Sequence, residues 1–193
     1  MSDNPVLAYF GHHKCATRWI GDILRQACAE LRLRLRSFSS ADMFGGDFAS
    51  FLKETRVDFL AFTNAQYRYI EHVEGLRGFH VIRDPRDVCV SAYYSHLHSH
   101  STNNWPELAE YRRELHSLPK EEGLLLEVQN IGWVIRCMSD WNYQNPRVWE
   151  VKMEALTHRP YHHFLKIFEF LELLDKGRLS FRQRLGYTLH QGL

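Results

Sequence analysis

The sequence predicts an α/β fold, a three-layer sandwich in which helices cover both faces of a central parallel β-sheet. Short apolar runs typical of buried strands alternate with segments of helical apolar spacing. Two of the predicted strands pass directly into a helix through a turn that carries basic residues. Parallel α/β sheets bind ligands beyond the carboxyl ends of their strands. These two turns are therefore the candidate binding regions.

Four apolar runs are predicted strands. They are Val6 to Phe10, Phe59 to Thr63, Phe79 to Ile82 and Val148 to Lys152. Helical spacing of apolar residues predicts three further regions. These run from Ala16 to about Leu35, from Trp105 to Ser139, and through Tyr161, Phe164, Leu165, Phe168 and Leu171. The second region contains two helices separated near Leu118-Pro119, and Ser39 to Asp47 is a predicted loop.

Length and charge narrow the possible classes of protein. The 193 residues suit a single domain, 1–193, and 24 basic residues face 23 acidic ones. This balance argues against a uniformly basic surface for nucleic acid, so an anion site must be local. Four cysteines without a CxxC pair predict reduced thiols and a cytoplasmic location. We expect no signal peptide at Met1 to Pro5 and no membrane span.

The first basic turn reads Gly11-His12-His13-Lys14-Cys15-Ala16-Thr17-Arg18-Trp19. A helix that opens directly after a strand presents free backbone N–H groups and a positive end to an anion. Lys14 adds a point charge, Thr17 a hydroxyl and Arg18 a planar guanidinium. The segment lacks the GxxxxGK[ST] pattern of Walker A. The alternative is an ordinary loop with solvated basic residues.

The second basic turn follows the strand that ends at Ile82. Asp84 is a good helix N-cap, and Pro85 suits the first helical position. Ser91 lies seven residues beyond Asp84 and therefore on the same helix face. Arg83 and Ser91 together predict a second phosphate site. The alternative, a plain helix start with a surface pair, leaves these two residues unexplained.

Both turns resemble the donor-binding motifs of PAPS-dependent sulfotransferases. Lys14-Cys15-Ala16-Thr17-Arg18-Trp19 is similar to the 5′-phosphosulfate loop of that family. Arg83 through Ser91 is similar to its 3′-phosphate motif and has the same Arg-to-Ser spacing. Val148 through Glu154 resembles the family's late strand. The resemblance implies a fold like that of P-loop nucleoside-triphosphate hydrolases.

The same resemblance implies a set of functional residues. The 5′-phosphosulfate of PAPS would be held by the residues of the first turn, Lys14, Cys15, Ala16, Thr17, Arg18 and Trp19. Arg83 and Ser91 would hold the 3′-phosphate. Sulfonate would pass by in-line displacement to a hydroxyl or amine of a small-molecule, lipid or carbohydrate acceptor. PAP would be the product, with Lys14 stabilising its leaving oxygen and no metal required.

The chain departs from the family pattern in three respects. Asn64 stands where many members have a catalytic histidine, and Met153 stands where a tyrosine often contacts adenine. The C-terminal segment that closes over the nucleotide is predicted to be short or missing, with Arg184-Leu185-Gly186 as its only trace. Without the usual histidine, the candidate bases are His13 and an acidic residue of the loop, Asp42 or Asp47.

Other histidines are predicted to be structural. His80 is expected to be a strand residue with a satisfied ring. His96, His98 and His100 are expected at a fraying helix end, because no carboxylate or cysteine at suitable local spacing completes a metal site. Two other functions remain open: a nucleotide kinase on a similar sheet, and a non-catalytic nucleotide-binding module.

Overall fold

The computed structural model describes residues 5–103 and 105–174, which form a parallel five-stranded sheet flanked by helices. The strands are β1 (Val6–Phe10), β2 (Leu35–Phe38), β3 (Phe59–Phe62), β4 (Leu76–Ile82) and β5 (Val148–Lys152). Their order in the sheet is β2-β3-β1-β4-β5, and every pair is parallel. The predicted α/β fold with a central parallel sheet is confirmed.

Seven α-helices connect and cover the strands in this part of the chain. They are α1 (Thr17–Leu31), α2 (Phe48–Glu54), α3 (Pro85–Tyr94), α4 (Leu108–Ser117), α5 (Lys120–Ser139), α6 (Met153–His158) and α7 (Pro160–Phe170). Short 3₁₀ turns span Ala41–Phe44 and Tyr67–Tyr69, and a π-helical turn, Ser95–Ser99, continues α3. The break near Leu118-Pro119 is confirmed as the junction between α4 and α5.

The predicted extension of the first helix to Leu35 is wrong. Arg32 adopts a left-handed conformation (φ 56°), and the N–H of Leu33 returns to the carbonyl of Cys28 at 2.8 Å. This 6→1 bond closes the helix as a Schellman motif. The chain then enters β2, an edge strand that sequence periodicity missed.

Both faces of the sheet are buried. Leu7 and Tyr9 of β1 face α1 and α7, whereas Ala8 and Phe10 face the opposite layer with Phe62 of β3. Full burial of such a side chain contributes about 1.5–3 kcal/mol. The two cores thus hold the carboxyl ends of the strands in fixed positions.

The ends of β1 and β4 lie side by side. Phe10 pairs with His80 in the register between these strands, so the turns that follow them emerge at one edge of the sheet. The described residues contain no helix long and apolar enough to cross a membrane. Arg184-Leu185-Gly186 and Met1–Asn4 lie outside the described residues.

Candidate active site

The turn between β1 and α1 leaves backbone N–H groups free at the start of the helix. Gly11 is required there, because a Cβ would collide with the hydroxyl of Tyr9. Lys14 and Ala16 adopt left-handed conformations (φ 66° and 58°), which cost about 1–2 kcal/mol each for non-glycine residues. Ala16 is the N-cap and offers no side-chain acceptor, so α1 begins uncapped at Thr17. Uncapped N–H groups at a helix start favour a bound anion.

The turn after β4 contacts the turn after β1 directly. Arg83 donates from Nη1 to the carbonyl oxygen of Lys14 at 2.9 Å. Asp84 caps α3 by accepting from the N–H of Arg86 at 2.9 Å, and its own N–H donates to Glu154 Oε1 at 2.9 Å. The predicted cap at Asp84 is therefore confirmed. These bonds fix the guanidinium of Arg83 beside the first turn.

Two cations thus lie close together at this edge of the sheet. Burial, and then the positive charge of Arg83, lower the pKa of the Lys14 ammonium, while the Glu127 carboxylate partly offsets the shift. Two adjacent positive groups repel each other, and an anion bound between them would remove that repulsion. The arrangement suits a phosphate or sulfonate group.

The structure assigns different surroundings to the other predicted donor-binding residues. Thr17 and Ser91 are half-buried, and Arg18 is exposed on the first turn of α1. Cys15 is buried, and burial raises the pKa of its thiol to about 12, so it stays protonated. The ring of Trp19 packs edge-on against Phe164 at 5.6 Å. The side chains of Cys15 and Trp19 therefore belong to the core, and the backbone N–H of Cys15 donates to the carbonyl of His12 at 3.0 Å.

His13 contacts His96 and His100, which come from a distant part of the chain. Its Nε2 lies 3.3 Å from Nε2 of His96, and its ring centroid lies 5.5 Å from that of His100. His96 is buried, and its Nδ1 lies 3.0 and 3.1 Å from the two carboxylate oxygens of Glu127. The expectation that the HxHxH run is a fraying helix end is wrong. The run forms an ordered π-helical turn that packs against the first turn.

The acidic loop residues lie elsewhere. Asp42 is exposed on the 3₁₀ turn after β2, two strands and roughly 10 Å from β1. Within the described residues, no hydrogen bond or ion pair joins Asp42 to the first turn. Asp47 caps α2 by accepting from the N–H and hydroxyl of Ser50 at 3.0 and 2.7 Å. Asn64 donates from Nδ2 to the carbonyl of Ser39 at 3.1 Å.

His80 has a satisfied ring within β4, as predicted. Its Nε2 lies 2.6 Å from Nε2 of His12, its Nδ1 lies 2.6 Å from Glu150, and it stacks on Trp141 at 3.8 Å. Burial raises the pKa of Glu150 to about 8 and lowers the pKa of His80 to about 3. Both pKa shifts favour the neutral form of the residue. The protonated carboxyl of Glu150 therefore donates a hydrogen bond to Nδ1 of the neutral His80 ring. Nδ1 of His12 is buried and has no hydrogen-bond partner among residues 5–103 and 105–174.

Sequence reasoning missed two carboxyl groups that make hydrogen bonds inside the fold, the buried Glu127 and the half-buried Glu150. Glu127 accepts from Tyr111 at 2.9 Å and Asn130 at 3.1 Å, and Glu150 accepts from Trp141 at 2.9 Å. One signal was present for Glu127: it lies on the buried face of α5. That face consists of Gly123, Glu127, Ile131, Val134 and Met138. An acidic residue among such positions indicates a polar partner inside the fold.

A parallel sheet with two cations and an uncapped helix start at adjoining strand ends is the arrangement of an α/β domain with a site suited to a small polyanion. A family model described as the sulfotransferase domain matches residues 9–180. The chain belongs to the sulfotransferase domain family, and the resemblance inferred from the two motifs is confirmed.

Solved structures resemble this chain at low sequence identity. A mouse sulfotransferase, SULT7A1, complexed with PAP aligns with 96% of this chain at 14% identity and a TM-score of 0.56. The chain spans 64% of that protein's length. A sulfotransferase from Alicyclobacillus acidocaldarius covers 98% of this chain and 92% of its own at 14% identity and a TM-score of 0.45. No curated protein matches the sequence.

Proposed function

We propose that this protein transfers a sulfonate group from PAPS to a hydroxyl or amine of an acceptor and releases PAP. Family membership supports this class of reaction over the kinase alternative. The bond from Arg83 to the carbonyl of Lys14 carries the proposal, because it joins the two predicted donor-binding turns into one site. PAPS carries phosphates at both its 5′ and 3′ positions. Its binding therefore needs two anion sites that lie close enough for one molecule to occupy both.

The residues present fit that donor. Lys14, the hydroxyl of Thr17 and the free N–H groups of α1 would hold the 5′-phosphosulfate, with Arg18 at the rim. Arg83 and Ser91 would hold the 3′-phosphate, since Arg83 directly precedes the N-cap of α3 and Ser91 lies two turns further along the same helix face. Arg83 is half-buried, and a single described bond uses one of its five N–H donors.

The proposed reaction is an in-line displacement at sulfur. An oxygen or nitrogen of the acceptor forms a bond to sulfur while the bond from sulfur to the bridging oxygen breaks. The electron pair of the broken bond stays on the 5′-phosphate of PAP. Lys14 and the N–H groups of the turn would stabilise the charge that develops there. Positioning supplies much of the remaining rate enhancement.

The acceptor must also lose a proton, which a base typically accelerates about 10²–10⁴-fold. Of the two candidate bases, His13 adjoins Lys14, whereas Asp42 is exposed on the turn after β2. His13 is therefore the candidate that the geometry supports.

A cavity of about 200 Å³ beside His13 supports a small acceptor. It is lined by His13, His96, Trp105, Asn130, Ile131 and Trp133. Two indole rings and an isoleucine favour an apolar or aromatic body, and the histidines and Asn130 offer polar contacts to its hydroxyl. We therefore propose an apolar small molecule or the end of a lipid over a carbohydrate. The cytoplasmic location stays a prediction from the cysteine pattern.

The proposal is tested by calorimetric titration of the protein with PAP, using AMP, ADP and ATP with and without Mg²⁺ as comparison ligands. We expect micromolar binding of PAP that requires the 3′-phosphate. Arg83→Ala should abolish it, whereas Arg86→Ala, which removes an exposed arginine three residues away, should leave it unchanged.

Preference for ATP with Mg²⁺ would contradict the proposal in favour of a kinase. Binding of PAP without transfer to any of a panel of phenols and alcohols, measured with radiolabelled PAPS, would identify a non-catalytic nucleotide-binding module.

A further inference from the structure

The cluster of His13, His96 and His100 lies next to the proposed donor site and is not needed to bind PAP. One nitrogen from each ring contributes to a group whose members all lie within 4.8 Å of one another. His13 comes from the turn after β1, His96 lies within the π-helical turn, and His100 is the residue directly after that turn. We propose that these three histidines bind a divalent transition-metal ion such as Zn²⁺.

The distance between two of the rings matches tetrahedral coordination. Zinc binds imidazole nitrogen at about 2.0–2.1 Å, so two nitrogens at the corners of a tetrahedron lie about 3.4 Å apart. His13 Nε2 and His96 Nε2 are 3.3 Å apart. The ring of His100 lies 5.3 Å from that of His96, centroid to centroid, and one of its nitrogens lies within 4.8 Å of the ligand nitrogens of the other two rings.

Hydrogen bonds set the tautomers of two of the rings. Nδ1 of His96 donates to the carboxylate of Glu127, and Nδ1 of His100 donates to the carbonyl of Ser101 at 2.9 Å. In each neutral ring the proton is therefore on Nδ1 and the lone pair is on Nε2. The lone pair of His96 on Nε2 therefore faces Nε2 of His13, as a metal site requires. A carboxylate behind a metal-ligating histidine is the usual outer-shell partner of such sites.

The surroundings of Glu127 also call for a cation. Its side chain is fully buried, and it accepts hydrogen bonds from His96, Tyr111 and Asn130. Within the described residues, His96 is its one ion-pairing partner within 4 Å. The ammonium of Lys14 acts on this carboxylate from outside ion-pairing distance, and a buried carboxylate without a directly paired positive charge is costly. A metal ion on the far side of the His96 ring would supply that charge.

Three histidines leave one coordination position open. The cavity beside His13 adjoins the cluster, so that position would face the proposed acceptor pocket. An open position of this kind takes water or another oxygen ligand. A hydroxyl of the acceptor is such a ligand, and coordination lowers the pKa of bound oxygen. This role rests on the proposed function and would replace that of His13 as the base, because a metal-bound His13 cannot accept the proton. Metal binding itself does not rest on the proposed function.

The test uses the full chain without a histidine tag, after treatment with EDTA and dialysis. Titration with Co²⁺ is followed by its visible absorption, and Zn²⁺ is then added in competition. We expect one ion per chain and the intense absorption of four-coordinate Co²⁺. His100→Ala should abolish that signal. Glu127→Gln should lower the affinity for Zn²⁺ by about 10–100-fold, as outer-shell changes do.

His98→Ala is the matched control, because His98 lies exposed on the same turn and outside the cluster. It should bind Co²⁺ as the unchanged protein does. Circular dichroism verifies that each variant is folded, and His100 is half-buried, which favours folding of its variant.

Failure of the unchanged protein to bind Co²⁺ or Zn²⁺ would overturn the proposal, as would unchanged binding by folded His100→Ala. Titration of the same variants with PAP separates the two proposals. Retained PAP binding in a variant that has lost Co²⁺ shows an intact donor site. If the unchanged protein does not bind PAP, the proposed donor site is contradicted and the proposed metal site is not.

Discussion

The backbone N–H of Asp84 donates to the carboxylate of Glu154 at 2.9 Å, which ties the start of α3 to the first turn of α6. Asp84 directly follows Arg83, so this bond helps to fix the guanidinium that we assign to the 3′-phosphate. Glu154 is exposed and lies in the first turn of α6, directly after β5, which is outside the proposed donor site. Its effect on the donor is therefore one of positioning.

We expect Glu154→Ala to weaken PAP binding about fivefold, because one ordinary hydrogen bond contributes about 1 kcal/mol. Glu154→Gln keeps an acceptor oxygen and should bind PAP nearly as well as the unchanged protein. Calorimetric titration measures both. Equal affinities for the Ala variant and the unchanged protein would show that Arg83 does not depend on this bond.

Ser91 should contribute to binding of the 3′-phosphate alone. We expect Ser91→Ala to weaken PAP about five- to tenfold, the loss typical of one hydrogen bond to a charged group, and to leave AMP unaffected. Ser95→Ala, one turn further along, is the matched control. A parallel loss of PAP and AMP affinity would argue that the hydroxyl supports the helix rather than the phosphate.

Glu150 should make stability depend on pH. Its pKa is raised to about 8 by burial, so between about pH 4.5 and pH 8 the folded protein holds a proton that the unfolded chain releases. Glu150 therefore contributes stability that is lost as the pH rises through that window. The groups that face this carboxyl are His80, Trp141 and the phenol of Tyr143.

We expect Glu150→Gln to remove this decline, because the amide stays neutral and keeps a donor for His80 and an acceptor for Trp141. The gain in melting temperature of the variant over the unchanged protein should be larger at pH 9 than at pH 5. Glu169→Gln, on an exposed position of α7, should show no such trend. A gain that does not change with pH would mean that Glu150 is ionised at both values.

Gly78 allows β1 and β4 to approach each other closely. A Cβ at this position would lie 2.7 Å from the carbonyl oxygen of Ala8, a backbone atom held in the centre of the sheet. We expect Gly78→Ala to lower the free energy of unfolding by about 1–3 kcal/mol through overpacking.

Gly132 in α5 is the matched control for that change. Its nearest atom to an added Cβ is Nη1 of Arg136 at 3.5 Å, which is ordinary contact. Gly132→Ala should raise the free energy of unfolding by about 0.5–1 kcal/mol, because alanine favours the helix. Urea unfolding measures both variants. A neutral Gly78→Ala would show that the two strands separate at little cost.

The fold could be predicted because four of the five strands are short apolar runs, and because the two functional turns are local motifs. β2 was missed for a physical reason. Its sequence Leu35–Phe38 has polar residues at its centre and continues the apolar spacing of α1, and only tertiary pairing with β3 makes it a strand.

The histidine and carboxyl networks could not be predicted from spacing. His13 and His96 are 83 residues apart, and His80 and Glu150 are 70 residues apart. Such pairs depend on strand order and on the path of α5 across the sheet. Local sequence does not encode either of them. The buried position of Glu127 on an apolar helix face was the one signal available.

The order of the strands has a consequence for synthesis on the ribosome. β1 lies at the centre of the sheet but is translated first, and its partners are β3 and β4. At about 5–20 residues per second, roughly 65 residues must follow β1 before the start of β4 emerges, a delay of about 3–13 s. During that interval the apolar segment Val6–Phe10 has an unpaired edge. If a ribosome stalls between β1 and β4, the unpaired edge of β1 stays exposed. A strand of a second nascent chain can then pair with that edge.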